Sequence, residues 1–282
     1  MAEVGKYNKL KVVKELEFGL YLDGEALGEI LLPRRYVPED TKPGDELEVF
    51  LYFDSEDRII ATTLKPYATV GEFAYLDVAS TNRIGAFLDW GLPKDLLVPF
   101  REQRLEMQEG KYYIVYIYLD DESGRIAASA KIDKFLDNTP VEYSFNQQVD
   151  ILIVQQTDLG FKVVVNNQHS GMIYTNEIFT TVNKGDRLKA YVKHIREDEK
   201  LDISLQELGY DGIDGLSRTV MQKIESAGGR LMLSDKSSSE EIAAIFGCSK
   251  KSYKKAIGAL YKERIIKINP DSIELIKKGA KQ

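Results

Sequence analysis

A six-residue pattern with a central glycine occurs three times in this chain, at residues 17–22, 83–88 and 158–163. Each copy is followed, after the same interval, by a second glycine that opens an alternating apolar segment. The pairs are Gly19 with Gly44, Gly85 with Gly110 and Gly160 with Gly185. A fixed spacing that recurs three times predicts one structural unit used three times.

Composition limits what this unit can belong to. The 282 residues are 43% hydrophobic and 29% charged, as expected of a soluble globular chain with more than one core. No apolar run reaches the ~20 residues of a membrane span, and the N-terminus lacks an apolar signal segment. Cys248, His169 and His194 are too few for a His/Cys-rich zinc site. We therefore expect a cytoplasmic protein with no membrane contact, no metal and no cofactor.

Charge is distributed unevenly along the chain. The net charge of −7 divides into −9 for residues 1–141, −2 for residues 142–206 and +4 for residues 207–282. The last segment holds 14 Lys and Arg against 10 Asp and Glu. This gradient indicates that a polyanionic partner would meet the C-terminal half.

The first repeat, assigned to residues 1–67, has a β pattern. In its longest segment Leu47, Val49 and Leu51 alternate with Glu48 and Phe50, as in a half-buried strand. Five such segments in about 60 residues without a long helix predict a small barrel of the oligonucleotide-binding (OB) kind. The same order of segments assigns further barrels to residues 68–134 and 135–208.

Alignment of the long strands of the three repeats gives two columns of side chains. The apolar column is the predicted barrel interior, and it also contains His194, which we therefore expect to be buried. The outer column contains Phe50, Tyr116 and Tyr191, followed two residues later by Tyr52, Tyr118 and Lys193. Outer aromatics can stack bases, each worth about 1–3 kcal/mol. For the first two repeats, packing on a neighbouring domain or linker is an equally open alternative.

The repeats resemble the S1 RNA-binding domain, most closely at residues 183–188 (Asn-Lys-Gly-Asp-Arg-Leu). The resemblance implies RNA contacts from aromatics beside the turn glycine, a third-strand side chain and an Asp/Arg pair. The first repeat supplies Phe18, Tyr21, Asp54 and Arg58; the second supplies Phe87, Asp121 and Arg125, with Ile84 in place of an aromatic. The third has Leu159 and Lys162 at the aromatic positions and Tyr174 on the third strand. In its Asp/Arg pair, Arg196 replaces the aspartate and Lys200 replaces the arginine. The third-strand position of the other two repeats is occupied by Pro33 and Pro99.

Residues 209–282 change to helical periodicity. Leu216, Val220 and Ile224 recur at helical spacing, and Ser238 with Glu241 predicts a capping box at the start of a second helix. A turn at Gly247 leads to a third helix that we expect to end near Glu263. A hairpin over residues 265–275 completes the pattern of a winged helix-turn-helix domain.

The third helix separates apolar from basic residues. Its apolar residues cover an arc of roughly 100°, and five lysines cover a separate arc of about 140°. These lysines are Lys250, Lys251, Lys254, Lys255 and Lys262. An ordinary solvated face would usually include acids, but none occurs between Ser249 and Lys262. The pattern favours phosphate binding.

Three S1-like barrels followed by a winged helix resemble the bacterial conserved virulence factor B family, particularly over residues 239–261. The resemblance implies a cytoplasmic RNA-binding regulator of gene expression without known catalysis. We predict single-stranded RNA binding by the third barrel and the winged helix. The candidate residues are Lys162, Tyr174, Tyr191, Lys193, Arg196, Lys200, Lys250, Lys251, Lys254, Lys255, Lys262 and Lys267, with Phe18, Tyr21, Arg58, Phe87, Tyr116, Tyr118 and Arg125 as secondary candidates.

The sequence also bears on three other functions. The winged helix could read DNA, but its lysines lack the Arg, Asn and Gln side chains that make bidentate base contacts. The acidic N-terminal barrels could bind a protein partner, which is compatible with RNA binding. A nuclease would need clustered carboxylates for metal ions, and the acids here are scattered through turns and strand ends.

Overall fold

A computed structural model describes residues 1–178, 180–207, 210–262 and 264–276, without the side chains of residues 210–215. The predicted boundary between residues 208 and 209 and the predicted helix end near Glu263 lie outside the described residues. The chain divides into two compact units, residues 1–136 and 137–282.

The first sheet is a closed five-stranded barrel, as predicted. Its strands are β1 (Tyr7–Leu16), β2 (Gly19–Asp23), β3 (Glu29–Pro33), β4 (Glu46–Phe53) and β5 (Ile59–Thr62). They follow the order β1-β2-β3-β5-β4, in which β3 and β5 are parallel and the other pairs antiparallel. Leu20, Leu22, Leu32, Val49 and Leu51 are fully buried inside it. The apolar column of the long strand therefore faces the interior.

The second sheet has the same strands in the same order but is not closed by hydrogen bonds. Its strands are β6 (Phe73–Asn82), β7 (Gly85–Asp89), β8 (Leu96–Pro99), β9 (Tyr112–Leu119) and β10 (Ile126–Ser129). The ladder runs β10-β9-β6-β7-β8, and the end strands β8 and β10 lie side by side without pairing. β8 has four residues, one fewer than β3.

The third sheet is again a closed barrel, in the order β11-β12-β13-β15-β14. Its strands are β11 (Gln148–Thr157), β12 (Gly160–Val165), β13 (His169–Tyr174), β14 (Arg187–Ile195) and β15 (Leu201–Ser204). The preceding residues are bound to this barrel, because the Asp137 amide donates to the Gln168 carbonyl and Thr139 contacts the His169 ring.

The expectation for His194 was wrong. His194 is exposed, and His169 is the buried histidine. β14 has a bulge between Val192 and His194, where the register with β15 shifts by one residue. The bulge reverses the alternation, so that Ile195 contacts the core in place of His194.

Steric constraints explain why glycine recurs at both positions of the repeated pattern. A Cβ at Gly19, Gly85 or Gly160 would overlap a backbone carbonyl oxygen of the third strand. Each second glycine has a positive φ, between 71° and 102°, and donates its amide to the carbonyl of the first strand. Non-glycine residues rarely adopt that conformation, which explains why the pair recurs.

The described part of the C-terminal domain contains three helices and a three-stranded sheet in the order β16-β18-β17. The elements are α1 (Tyr210–Ser226), β16 (Arg230–Leu231), α2 (Ser239–Phe246), α3 (Lys250–Lys262), β17 (Ile266–Ile268) and β18 (Ile273–Leu275). Ser238 and Glu241 form the predicted capping box, and Gly247 ends α2 in the left-handed conformation. The fold is thus mainly β with a C-terminal α+β module, as the sequence predicts.

Candidate nucleic-acid interface

The basic face of α3 is solvent-accessible because the opposite face fills the core of the winged helix. Tyr253, Ala256, Ile257 and Leu260 are buried, and the lysines therefore point away from the core. Lys250, Lys251, Lys254 and Lys255 line one shallow concavity. Lys262 and the β17 residue Lys267 are also exposed.

Few protein groups neutralise these lysines. Lys254 Nζ lies 4.0 Å from a carboxylate oxygen of Asp235, and Lys250 Nζ donates to the Lys236 carbonyl at 3.4 Å. Among the described residues, no carboxylate lies within ion-pair distance of Lys251 or Lys255. Asp235 beside Lys254 and Glu241 near Lys250 offset part of this positive charge. The four neighbouring ammonium groups still form a site that is electrostatically suited to phosphates.

Acidic residues neutralise part of the predicted face of the third barrel. Lys193 forms an ion pair with Glu177, and Arg196 Nε lies 3.4 Å from Asp198. The Tyr174 hydroxyl donates to an Asp202 carboxylate oxygen at 3.3 Å. Glu177 belongs to the turn that directly follows Tyr174, so the structure brings Lys193 and Tyr174 to the same edge.

The other candidates of the third barrel retain accessible groups. Lys162 and Lys200 are exposed, and Tyr191 is half-buried. The Tyr191 hydroxyl accepts a hydrogen bond from Gln148 Nε2 at 3.2 Å. Leu159, at the position of a base-stacking aromatic, is also exposed.

The first barrel carries the pattern most completely. Phe18 is exposed and meets Tyr21 edge to face, with ring centroids 6.1 Å apart. Arg58 donates through Nε and Nη2 to one Asp54 oxygen at 2.9 and 2.7 Å. Burial alone would raise the pKa of Asp54, but hydrogen bonds from Arg58 and the Glu56 amide outweigh it and lower the pKa. Both members of the Asp54/Arg58 pair are therefore ionised, and they contact each other.

The second barrel differs from expectation at this pair. In the first barrel the Asp54 amide donates to the Arg58 carbonyl across the turn between the fourth and fifth strands. In the second barrel the Asp120 amide makes the same hydrogen bond to the Arg125 carbonyl, so this turn is one residue longer. Asp120, rather than Asp121, thus occupies the turn position. The Arg125 guanidinium contacts neither carboxylate, because its Nη2 lies 2.6 Å from Asp57 of the first barrel. Phe87 is half-buried beside this pair.

Most outer aromatics of the first two repeats pack against protein. Phe50 and Tyr52 are buried in a cluster with residues of the second barrel, and Phe50 meets Trp90 edge to face at 5.8 Å. The packing alternative is therefore correct for the first repeat. Tyr116 stacks on Phe135 at 4.1 Å.

Tyr118 remains partly accessible. Its ring lies 5.6 Å from that of Phe135, and Lys134 Nζ stands over it at 5.7 Å. Burial, followed by the nearby acids Glu102 and Asp120, raises the pKa of Tyr118 to about 12. The ring is therefore neutral at physiological pH.

Three charged residues near this face were not predicted from the sequence: Asp57, Lys94 and Arg101. With Phe87, Tyr118 and Arg125 they line a cavity of about 550 Å³ within the first unit. Lys94 lies in the loop between β7 and β8, where no repeated motif marks it. Only the longer second turn could have drawn attention to this region.

The described residues lack both a metal-binding cluster and a membrane-spanning helix. In the described ranges, no three His, Cys, Asp or Glu residues are grouped so as to hold a metal ion. Over the same part of the chain, no helix has the length and apolar character needed to cross a membrane.

Comparison with known families agrees with this architecture. The S1 domain family model matches residues 4–64 and 70–131, and that of the CvfB-like winged helix domain matches residues 218–275. The chain is thus a multidomain protein of S1 and winged-helix domains, which are nucleic-acid-binding domains; neither matched family is catalytic.

Two staphylococcal relatives that align with most of the chain share one name. Conserved virulence factor B of Staphylococcus aureus (strain USA300) is 26% identical over 248 residues, covering 86% of this chain and 83% of the relative. The Staphylococcus epidermidis protein of that name matches with the same figures. A solved multidomain protein with nucleic acid binding domains from Streptococcus pneumoniae is 25% identical, covers 97% of this chain and 98% of its own, and has a TM-score of 0.40. Over most of its length the chain is thus similar to proteins of the conserved virulence factor B family.

Proposed function

We propose that this protein is a non-catalytic, cytoplasmic RNA-binding regulator that holds single-stranded RNA on its third barrel and winged helix. The observation that carries the proposal is the basic face of α3, where four lysines line one concavity and α3 holds no acid. Single-stranded RNA fits because the third barrel adds the half-buried rings Tyr174 and Tyr191, on which unpaired bases can stack.

The two surfaces belong to one compact unit, residues 137–282. Within it, Gln206 Nε2 donates to the Gly247 carbonyl, which links the end of the third barrel to the turn before α3. A strand bound to one surface would meet the other at a high effective concentration. The weak contacts on the two surfaces would then together give a higher affinity for RNA than either surface alone.

Duplex DNA is the competing ligand, since α3 follows α2 across a left-handed glycine, as the recognition helix of a helix-turn-helix does. Lysine neutralises phosphates without distinguishing bases, so weak sequence preference and strong salt dependence are expected. The test is a titration of the full chain with single-stranded RNA, duplex RNA and duplex DNA at two salt concentrations. Tightest binding to single-stranded RNA supports the proposal, whereas equal or tighter binding to duplex DNA refutes it.

A further inference from the structure

The cavity of about 550 Å³ in the first unit has the composition of a small-ligand site. Phe87, Tyr118 and Ile84 supply aromatic and apolar walls, and Lys94, Arg101 and Arg125 supply cations. Three carboxylates, those of Asp57, Asp95 and Asp120, line the same cavity. The volume lies within the range of known ligand pockets. Aromatic walls beside cations match a ligand that combines a flat base with a phosphate.

A carboxylate of the first barrel already occupies two of these cations. Asp57 lies in the turn between β4 and β5, and its two oxygens contact different partners. Oδ1 lies 3.0 Å from Lys94 Nζ, and Oδ2 lies 2.6 Å from Arg125 Nη2. Lys94 Nζ also donates to the Asp54 carbonyl at 2.6 Å, which holds the ammonium group at the cavity wall. Two cations bridged by one anion form the arrangement that a phosphate group would also satisfy.

A phosphate group could replace the Asp57 carboxylate in its contacts with Lys94 and Arg125. The hydrogen bond from Lys94 is the largest cause that lowers the pKa of Asp57, so the carboxylate is charged at physiological pH. The side chains of Lys94, Asp57 and Arg125 are 38%, 40% and 58% exposed, and ion pairs at this exposure contribute little to stability. Displacing the carboxylate into water would therefore cost the fold little.

We propose that this cavity is a latent binding site for a nucleotide phosphate of single-stranded RNA, and that Asp57 occludes it by standing in the position of the phosphate. The proposal extends RNA binding to the first unit, but it does not depend on the third barrel or on α3. Without RNA, Asp57 of the first barrel contacts the cations of this cavity in the second barrel. A ligand must therefore compete with the Asp57 carboxylate.

Trp90 provides a local reporter, because it is the one tryptophan of the chain and lines this cavity. The indole is 3% exposed, and its Nε1 donates to the Lys94 carbonyl at 2.7 Å. A ligand that moves Lys94 should change tryptophan emission. Binding on the third barrel or α3 is followed separately, by the fluorescence anisotropy of a labelled oligoadenylate RNA.

The decisive variant is Asp57→Asn in the full chain, titrated with a short oligoadenylate RNA. Freeing two cations from exposed ion pairs should tighten the Kd read from Trp90 about three- to tenfold. Asp40→Asn is the matched control, because Asp40 is also exposed in the first barrel and has a φ of 63°, against 59° for Asp57. It removes the same charge from the same kind of backbone position. Circular dichroism and unfolding would verify that both variants fold.

The proposal is supported if Asp57→Asn alone tightens the Trp90 response and the added change Arg125→Gln removes the gain. An unchanged Trp90 titration for Asp57→Asn overturns it. An equal gain for Asp40→Asn also overturns it, because the effect would then be one of net charge. Loss of the anisotropy signal with a retained Trp90 response would contradict only the function proposed for the second unit.

Discussion

Removing the basic face of α3 should lower the salt dependence of RNA binding. The variant replaces Lys250, Lys251, Lys254 and Lys255 by alanine, the best helix former, and these side chains lie outside the core. For single strands, each neutralised phosphate contributes about 0.7 to the slope of log K against log salt. Four full contacts would therefore contribute about 2.8.

The structure indicates that the four lysines contribute less than this maximum to the salt slope. Lys254 is 4.0 Å from Asp235 and Lys250 contacts the Lys236 carbonyl, so these two have local partners that RNA must replace. We expect the slope to fall by about 2, in anisotropy titrations of single-stranded RNA over a series of salt concentrations.

The control variant replaces four exposed lysines of the first unit by alanine: Lys9, Lys11, Lys42 and Lys65. It changes the net charge equally but should leave the slope nearly unchanged. If the α3 variant keeps the original slope, phosphates do not contact this helix and the reasoning is refuted. If the control lowers the slope equally, long-range charge rather than contact is responsible.

Three other predictions follow from the structure. Tyr174→Ala/Tyr191→Ala should weaken RNA binding by about 1–3 kcal/mol per lost stacking contact with little change of salt slope, and no weakening in titrations would exclude stacking there. The purified protein should leave labelled RNA intact with magnesium or manganese, as gel electrophoresis would show; metal-dependent cleavage lost on mutating an acidic pair would overturn the non-catalytic proposal. Phe50→Ala should lower the free energy of unfolding by about 3–5 kcal/mol in urea titrations because Phe50 is fully buried, whereas a loss below 1 kcal/mol would contradict that burial.

The barrels could be predicted because their determinants are local and repeated. Each first glycine makes room for a carbonyl of the third strand, and each second glycine adopts a positive φ beside the first strand. The alternating long strand then identifies the interior. His194 was misplaced because a single bulge shifts the alternation by one residue, and no residue type marks that bulge.

The candidate site was harder to predict because it depends on neighbours distant in sequence. Phe50 and Tyr52 have the pattern of exposed aromatics, but the second barrel covers them. Arg125 has the spacing of an RNA contact, but its partner is Asp57, 68 residues earlier. Single-repeat reasoning cannot reveal which surface of one repeat another repeat will cover.

The difference between the two units is therefore better described by pairing than by net charge. In the first unit Arg58 is bound to Asp54 and Glu56, Arg101 contacts Asp120 and Glu122, and Asp57 holds both Lys94 and Arg125. A phosphate that approaches these cations must displace a carboxylate, and the loss of that exposed ion pair offsets part of the Coulomb gain. On α3, Lys251 and Lys255 have no carboxylate at ion-pair distance among the described residues, and a phosphate there displaces only counterions. Affinity on the first unit should then respond to single carboxylates such as Asp57, whereas affinity on α3 should respond to salt.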